Sequence, residues 1–532
     1  MKRYIVIILL IFASPGQVLF AQSLYLDWQT CLGGSSDDYG NFMKLVVGDQ
    51  VIGIVGRTDS DDGNLGCSVP GNTDAFLGFL DTAGTNLSYR CYGGSRYEEF
   101  NSFVEMDPTT YDKFLVGRTN SNDGDVSGNH GSFDAWLVKT RFNGITRWQK
   151  CLGGTGWEDG FSIISTSDGN LLMAGITSSD SIDGQATGWH GGFDGWLVKM
   201  DTAGNVLWQK CYGGSGSEYF YSVIETYDGS YVVSGFSNSN DGDVTGNYGS
   251  SDYWILKVDP SGNIIWQKSF GGSTRDEAYN VIETLDSNLL INGSTYSHDY
   301  DAISTNAAAG SSNILLVKLD QTGNKIWSKC YGSIDITHTR SIIETQQGNL
   351  YFGGEVETAS GEAAGCNIHG CCDAWILSLD STGNILNQQC FGSNSVDDGL
   401  SGIIPSTQIG HYYFLGQAGS NSGDVSGHHG GNSEIWIAKI VDSVEIILNR
   451  PLPIEHELTI YPNPFSDYLT ITPGHNFNLS LVISNYAGQV IYEQSISGKE
   501  TFFLATHNLS AGIYFARIIS YNRIYYYKLI KY

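Results

Sequence analysis

The sequence predicts an all-β protein: a seven-bladed β-propeller of four-stranded blades, followed by a small C-terminal β-sandwich. Three observations carry this expectation. A phrase of the form Trp-Gln-Lys-Cys, then Leu or Tyr, then Gly-Gly-Ser recurs seven times with small variations. Its cysteine position falls at Cys31, Cys91, Cys151, Cys211, Ser269, Cys330 and Cys390, in steps of 60, 60, 60, 58, 61 and 60. A period held that closely marks a repeat architecture. The composition agrees: 67 Gly, 31 Tyr and 12 Trp beside 16% charged residues suit many short strands joined by turns.

Taken in order, Met1–Ala21 reads as a signal peptide. Lys2 and Arg3 precede the apolar run Tyr4 to Phe12, and small Ala21 stands before Gln22. No cysteine follows that run closely, which speaks against a lipoprotein anchor. No other stretch approaches the ~20 apolar residues of a membrane helix.

Residues 22–442 hold the repeats. The clearest unit runs from Trp208 to Ile265. Trp208–Tyr212 reads as a strand ending in Gly213-Gly214, Ser215–Tyr219 as a loop, and Tyr221–Thr226 as a β-branched strand. Asp228-Gly229 turns the chain into Tyr231–Phe236, because Asp-Gly supplies the positive φ angles of a tight hairpin. A long polar loop, Ser237–Asp252, leads to Tyr253–Val258, and Ser261-Gly262 turns into the Trp266 strand. Four such strands bury their two faces only against neighbouring blades. The chain enters at Leu24–Leu32, which matches the fourth strand of a unit, and leaves after the third strand of the last one, Glu434–Ile440. The N-terminal strand is therefore expected to complete the seventh blade; an open β-solenoid is the alternative. The pattern resembles bacterial β-propeller repeat families of surface and secreted proteins, on its Trp-Gln-Lys, Gly-Gly-Ser, Asp-Gly-Asn and Asp-x-x-Gly-Asn elements. That resemblance implies a scaffold and no particular ligand.

Residues 443–457 read as a linker, and 458–532 as the β-sandwich. This tail carries Tyr461-Pro462-Asn463-Pro464, then Gly488 within Asn485–Val490, Gly512 and Tyr514 within Leu509–Tyr514, and Lys528 in the terminal Lys-Leu-Ile-Lys. On those elements it resembles the C-terminal sorting domain of the type IX secretion system. The resemblance implies a Gram-negative cell, passage through the periplasm and outer membrane, the secretion machinery as partner, and a secreted or cell-surface product. A small adhesive sandwich is the other reading.

Function is less legible. The formal net charge of −28 repels phosphate backbones and anionic lipid headgroups, so no nucleic acid partner is expected. Long loops carry function more often than tight turns. The face bearing the Gly-Gly-Ser loops and the loops between second and third strands is thus the candidate binding surface, with the channel mouth beside it. In those loops Asp123, Asp125, Asp241, Asp243 and Asp424 are spaced to hold calcium through oxygen ligands; the competing reading is Asx-turn chemistry. Trp157 and Trp189 lie in long loops and are candidates for stacking on a carbohydrate ligand. Trp136, Trp196, Trp254, Trp375 and Trp436 read as packing residues, and His130, His190 and His369 as repeat-consensus loop residues. The six repeat cysteines stand one blade apart, too far to bridge one another, and read as small buried residues. Cys67, Cys366, Cys371 and Cys372 remain; Cys366 with Cys371 or Cys372 is the expected staple, and a zinc site with His369 the alternative. No GxSxG, HExxH, phosphate loop or sialidase box occurs. The expectation is a monomeric, non-enzymatic surface module binding glycan or protein. The alternatives are a polysaccharide hydrolase or lyase using the blade-six acids Glu355, Glu357 and Glu362, and a structural matrix component.

Overall fold

The computed structural model describes residues 24–443 apart from 47, 68–72, 86, 107–109, 181–187, 304–310, 335–336 and 396–398. Nearer the C-terminus it describes 459–461, 468–472, 477–485, 490–498, 502–506, 508–510, 512–520 and 523–531. The signal-peptide reading at 1–21, and the linker reading from 444 on, fall outside these residues.

Strands from Leu24 to Asp442 form seven four-stranded antiparallel sheets, arranged as the blades of a propeller. Blade 4 shows the order: Glu218–Glu225, Tyr231–Ser237, Asp252–Val258 and Ile264–Phe270, each bonded to the next. Its first strand begins three residues before the expected Tyr221. Glu218 looks like a loop acid in sequence, yet its carboxylate is fully buried and accepts bonds from the Gly214 N–H (2.9 Å) and the Ser237 hydroxyl (2.7 Å). The ring closes as the frame of the repeat implies. Leu24–Leu32 pairs antiparallel with Glu434–Asp442, placing Cys31 opposite Trp436, and completes the seventh blade.

Each blade buries its faces against its neighbours, so the apolar core is divided into clusters that each span two adjacent blades. Trp136, Trp196, Trp254, Trp375 and Trp436 are at most 1% exposed, and each indole N–H donates to a fourth-strand glutamine of its own blade. Tyrosines at the ends of fourth strands tie blade to blade: Tyr212 donates to the Gly262 carbonyl (2.7 Å) and Tyr331 to that of Gly383 (2.6 Å).

The cysteines correct the sequence reading. Cys67 bridges Cys91 and Cys366 bridges Cys390, with Cα separations of 5.9 and 5.4 Å. Two repeat cysteines are thus not merely packing residues, and Cys366 is not paired with Cys371 or Cys372. The partner lies within the same blade, because the loop between second and third strands folds across the fourth strand. Elsewhere the same contact is a hydrogen bond, as from Ser269 Oγ to the Thr245 carbonyl (3.2 Å). Blade spacing forbids bridges between repeat cysteines but not to this loop.

The C-terminal unit, Leu448–Tyr532, is compact by itself. Thr459–Tyr461, Tyr468–Thr472 and Phe502–Ala505 form one antiparallel sheet; Val490–Gly498, Phe477–Asn485, Gly512–Ser520 and Arg523–Lys531 form the other. Among the described residues no helix is long and apolar enough to cross a membrane.

Candidate functional site at the channel mouth

The first strands of the blades line a central cavity of about 1670 Å³. Each of these strands carries a β-bulge, after its third residue in blades 1 to 6 and after Leu400, its first, in blade 7; the extra residues are Asn41, Asn101, Phe161, Tyr221, Tyr279, Arg340 and Ser401. A bulge re-aims a side chain, and here it adds one cavity-lining side chain per blade. Two more positions vary in step. The second residue of the first strand is Tyr39, Glu99, Asp159, Tyr219 and Glu277 in blades 1 to 5. Opposite them in the second strand stand Arg57, Arg118, Ile176, Phe236 and Ser294. The strands approach closely there because the following second-strand residue inward is glycine: a Cβ on Gly235 would collide with the Tyr219 carbonyl.

The mouth is polar on one side. Arg118 bonds Glu99 (2.8 Å) and Asp159 (3.2 Å), and Arg57 Nε lies 3.5 Å from Glu99. Tyr97 donates to Glu99 (2.6 Å) and Asn101 to Asp159 (2.8 Å). The Arg118 guanidinium also lies 5.1–5.5 Å from the rings of Tyr97, Phe133 and Trp157, within cation–π range. Burial raises the Asp159 carboxyl well above its ordinary value, against the pull of Arg118. Burial opposes the Arg118 charge, but Asp159 and Glu99 outweigh it. Burial and the adjacent Glu99 push the Tyr97 hydroxyl up to about 12. The adjoining stretch, on blades 3 to 5, is aromatic: Tyr219 stacks on Phe236 at 4.8 Å, and Tyr221 lies 5.1 Å from Phe161 and 5.3 Å from Tyr279. Arg275 pairs with Glu277 (2.7 Å), which also accepts from Tyr279 (2.8 Å). The described arginines at the mouth mostly face acids, so the surface offers paired charges, hydroxyls and ring faces.

The sequence-selected residues fall in several places. Asp123 and Asp241 accept the backbone N–H groups of Ser95 and Ser215 (both 2.7 Å). Asp125, Asp243 and Asp424 accept those of Gly93, Gly213 and Gly392 (all 3.3 Å). Each thereby braces the loop through which the chain enters its own blade. Asp123 also lines a cleft of about 370 Å³ with Arg96, Asn122, Asn129 and His130. His130, His190 and His369 each turn Nδ1 to the aspartate four residues on. Trp157 packs against Phe133 at 4.6 Å beside Arg118; Trp189 is 38% exposed. The blade-six acids do not gather: Glu355 lines the cavity, Glu362 accepts the Gly332 N–H (3.1 Å), and Glu357 lies within 4.8 Å of the Cys371 and Cys372 sulfurs. Of the tail residues, Tyr461, Gly512, Tyr514 and Lys528 lie in strands, and the Tyr514 hydroxyl donates to the Ser510 carbonyl (2.7 Å). Pro462, Asn463, Pro464 and Gly488 lie outside the described residues. The channel-mouth residues were not singled out in sequence; their signal was variation at fixed repeat positions.

Residues 459–532 match the family described as the secretion system C-terminal sorting domain. No curated protein matches the sequence. Solved structures similar to this chain include the Pan2 WD40 domain of Neurospora crassa (9% identity, 75% of this chain and 89% of that one, TM-score 0.40). The β-propeller domain of the Trilobed protease from Pyrococcus furiosus is another (8% identity, 78% and 94%, TM-score 0.38).

Proposed function

We infer that the tail, a type IX secretion sorting domain, marks the propeller as cargo for the cell surface or the extracellular space. We propose that the propeller is a non-enzymatic binding module that takes a neutral glycan at the channel mouth. We further infer that residues 1–21 are removed on export and that 443–457 link propeller to tail. One observation carries the binding reading: charged, polar and aromatic side chains that differ from blade to blade converge on this mouth, while the position that packs the blades stays apolar throughout, tryptophan in five blades and Phe76 and Leu315 in the other two. Ring faces such as Tyr219 and Tyr221 suit the apolar faces of a sugar. Hydrogen-bonded carboxylates, Asn101 and Arg275 suit its hydroxyls. The Arg57, Arg118 and Arg275 charges are matched by acids, which favours an uncharged ligand over an anionic one.

The test is a glycan array probed with the full exported chain, followed by calorimetry on any hit. Arg275→Ala and Tyr221→Ala are the variants of choice. Arg275 is 59% exposed, and in its absence the buried Glu277 keeps the hydrogen bond from Tyr279, so each variant is first checked for an unchanged melting curve. Saturable binding that weakens tenfold or more in either variant supports the proposal. Uniform failure to bind, or binding indifferent to both substitutions, overturns it.

A further inference from the structure

The junction between blades 4 and 5 buries carboxylates that are incompletely satisfied. Asp252 opens the third strand of blade 4 and Asp276 the first strand of blade 5; both are 0% exposed. Asp252 Oδ2 accepts the Tyr248 N–H (2.6 Å), but its buried Oδ1 has no hydrogen-bond partner among the described residues. Asp276 Oδ2 accepts from Gly272 (2.7 Å) and Ser297 (2.8 Å), and the Thr295 hydroxyl is beside the group. The two acids converge on Gly271, where an added Cβ would lie 2.5 Å from Asp276 Oδ2 and 2.7 Å from Asp252 Oδ1. Among the described residues no basic side chain pairs with either. Burying anionic oxygen without a counter-charge is costly.

We propose that this junction is a calcium site, with Asp252 Oδ1 and the Asp276 carboxylate as its acidic ligands. The donors are all oxygen, which selects a hard cation. Calcium takes six to eight oxygens, so backbone carbonyls and water complete the shell. The same free Oδ1 recurs on Asp74, Asp134 and Asp194, each beside the acid that opens the next blade; what differs here from the junctions after blades 2 and 3 is the absence of a histidine. His130 and His190 sit against Asp134 and Asp194 at the corresponding place, whereas Tyr248 stands there in blade 4. At the next junction Asn313 and Thr337 replace both acids. The loop aspartate Asp299 spends its Oδ1 on the Ser273 N–H (2.8 Å), as Asp241 does on Ser215. The free oxygen therefore belongs to the blade junction and not to the loop motif. Burial and the neighbouring acids push Asp252 up to about 7, as expected where positive charge is lacking.

The test uses the full chain, stripped with chelator, desalted and titrated with calcium chloride by calorimetry. Saturable binding, a higher melting temperature in calcium, and the loss of one bound ion per chain in Asp252→Asn are expected. Wild-type protein that neither binds calcium nor gains stability overturns the proposal. A folded Asp252→Asn chain with unchanged stoichiometry overturns it too. Should that variant fail to fold, crystals of the wild-type chain in terbium decide: an anomalous peak between Asp252 and Asp276 is expected, and its absence overturns the assignment.

Discussion

The Trp436 indole donates to Gln29 Oε1 at 2.9 Å across 407 residues of sequence. Within other blades the same bond spans 13 residues, as between Trp254 and Gln267. Ring closure thus uses a contact shared by five of the seven blades, supplied from the opposite end of the repeat region; Phe76 and Leu315 take the tryptophan's place in blades 1 and 5. Trp436 is fully buried, so Gln29→Ala strands an indole N–H at a cost of about 1–3 kcal/mol. Trp436→Ala removes the ring itself at about 3–5 kcal/mol. Deleting residues 24–32 exposes the whole edge of Glu434–Asp442. Melting temperatures are expected to fall in that order, with aggregation only in the deletion.

The two disulfides each close a loop between residues 24 apart. In the chain-entropy account such a loop contributes about 3 kcal/mol. Cys67→Ser and Cys366→Ser are each expected to lower the melting temperature, and reduction to reproduce the double variant. Peptide mapping under non-reducing conditions is expected to recover the pairs Cys67–Cys91 and Cys366–Cys390, with Cys31, Cys151, Cys211 and Cys330 alkylated as free thiols. Recovery of Cys366 joined to Cys371 or Cys372 refutes the assignment.

These bridges show what was and was not legible in sequence. Blade count, strand order and closure follow from residues that recur in most blades, such as Trp254, Gln267 and the turn at Asp228-Gly229. The spacing of 24 occurs twice, at Cys67–Cys91 and Cys366–Cys390; it is hidden in sequence because a cysteine at the repeat position reads as a packing residue. Glu218 was lost to a predicted loop because an acid beside Gly-Gly reads as solvent-exposed, and only its hydrogen bonds reveal burial. The particular residues of the channel mouth are hidden for another reason. A bulge at Tyr221 or Asn101 breaks the two-residue alternation, so the pattern cannot show that these side chains meet. Glu99 and Asp159 belong to different blades, and only the ring brings both to Arg118.

Arg118 bridges two acids that are 7% and 0% exposed. Arg118→Ala leaves Glu99 and Asp159 without their shared counter-charge, a change that costs about 3–5 kcal/mol. Arg118→Lys keeps the charge but loses the two-sided hydrogen bonding and the ring contacts, and is expected to fall between. Arg57→Ala is expected to cost least, since its Nε stands at 3.5 Å from Glu99. Chemical denaturation of the three variants orders them; equal stability of Arg118→Ala and wild type contradicts the reading.

The blade junctions make stability depend on pH in an unusual direction. Burial foremost, with a neighbouring acid adding to it, raises Asp38 and Asp194 to about 6 and Asp74 and Asp252 to about 7. A carboxyl whose value is higher folded than unfolded binds more protons in the folded state. Its contribution is therefore complete below the unfolded value near 4 and is lost as pH rises through 6 to 7. A carboxyl held two pH units above its ordinary value contributes about 2.7 kcal/mol. Calcium-free protein is thus expected to melt at a higher temperature at pH 5 than at pH 8. Calcium opposes this trend, because an ion between Asp252 and Asp276 stabilises the ionised form and competes with the proton. In saturating calcium the gain on acidification is expected to shrink by the share of Asp252, and in Asp252→Asn the calcium-dependent part of the difference disappears. Melting curves from pH 5 to 8, with chelator and with calcium, check both; a melting temperature that climbs with pH in chelator rules out protonated carboxyls at the junctions.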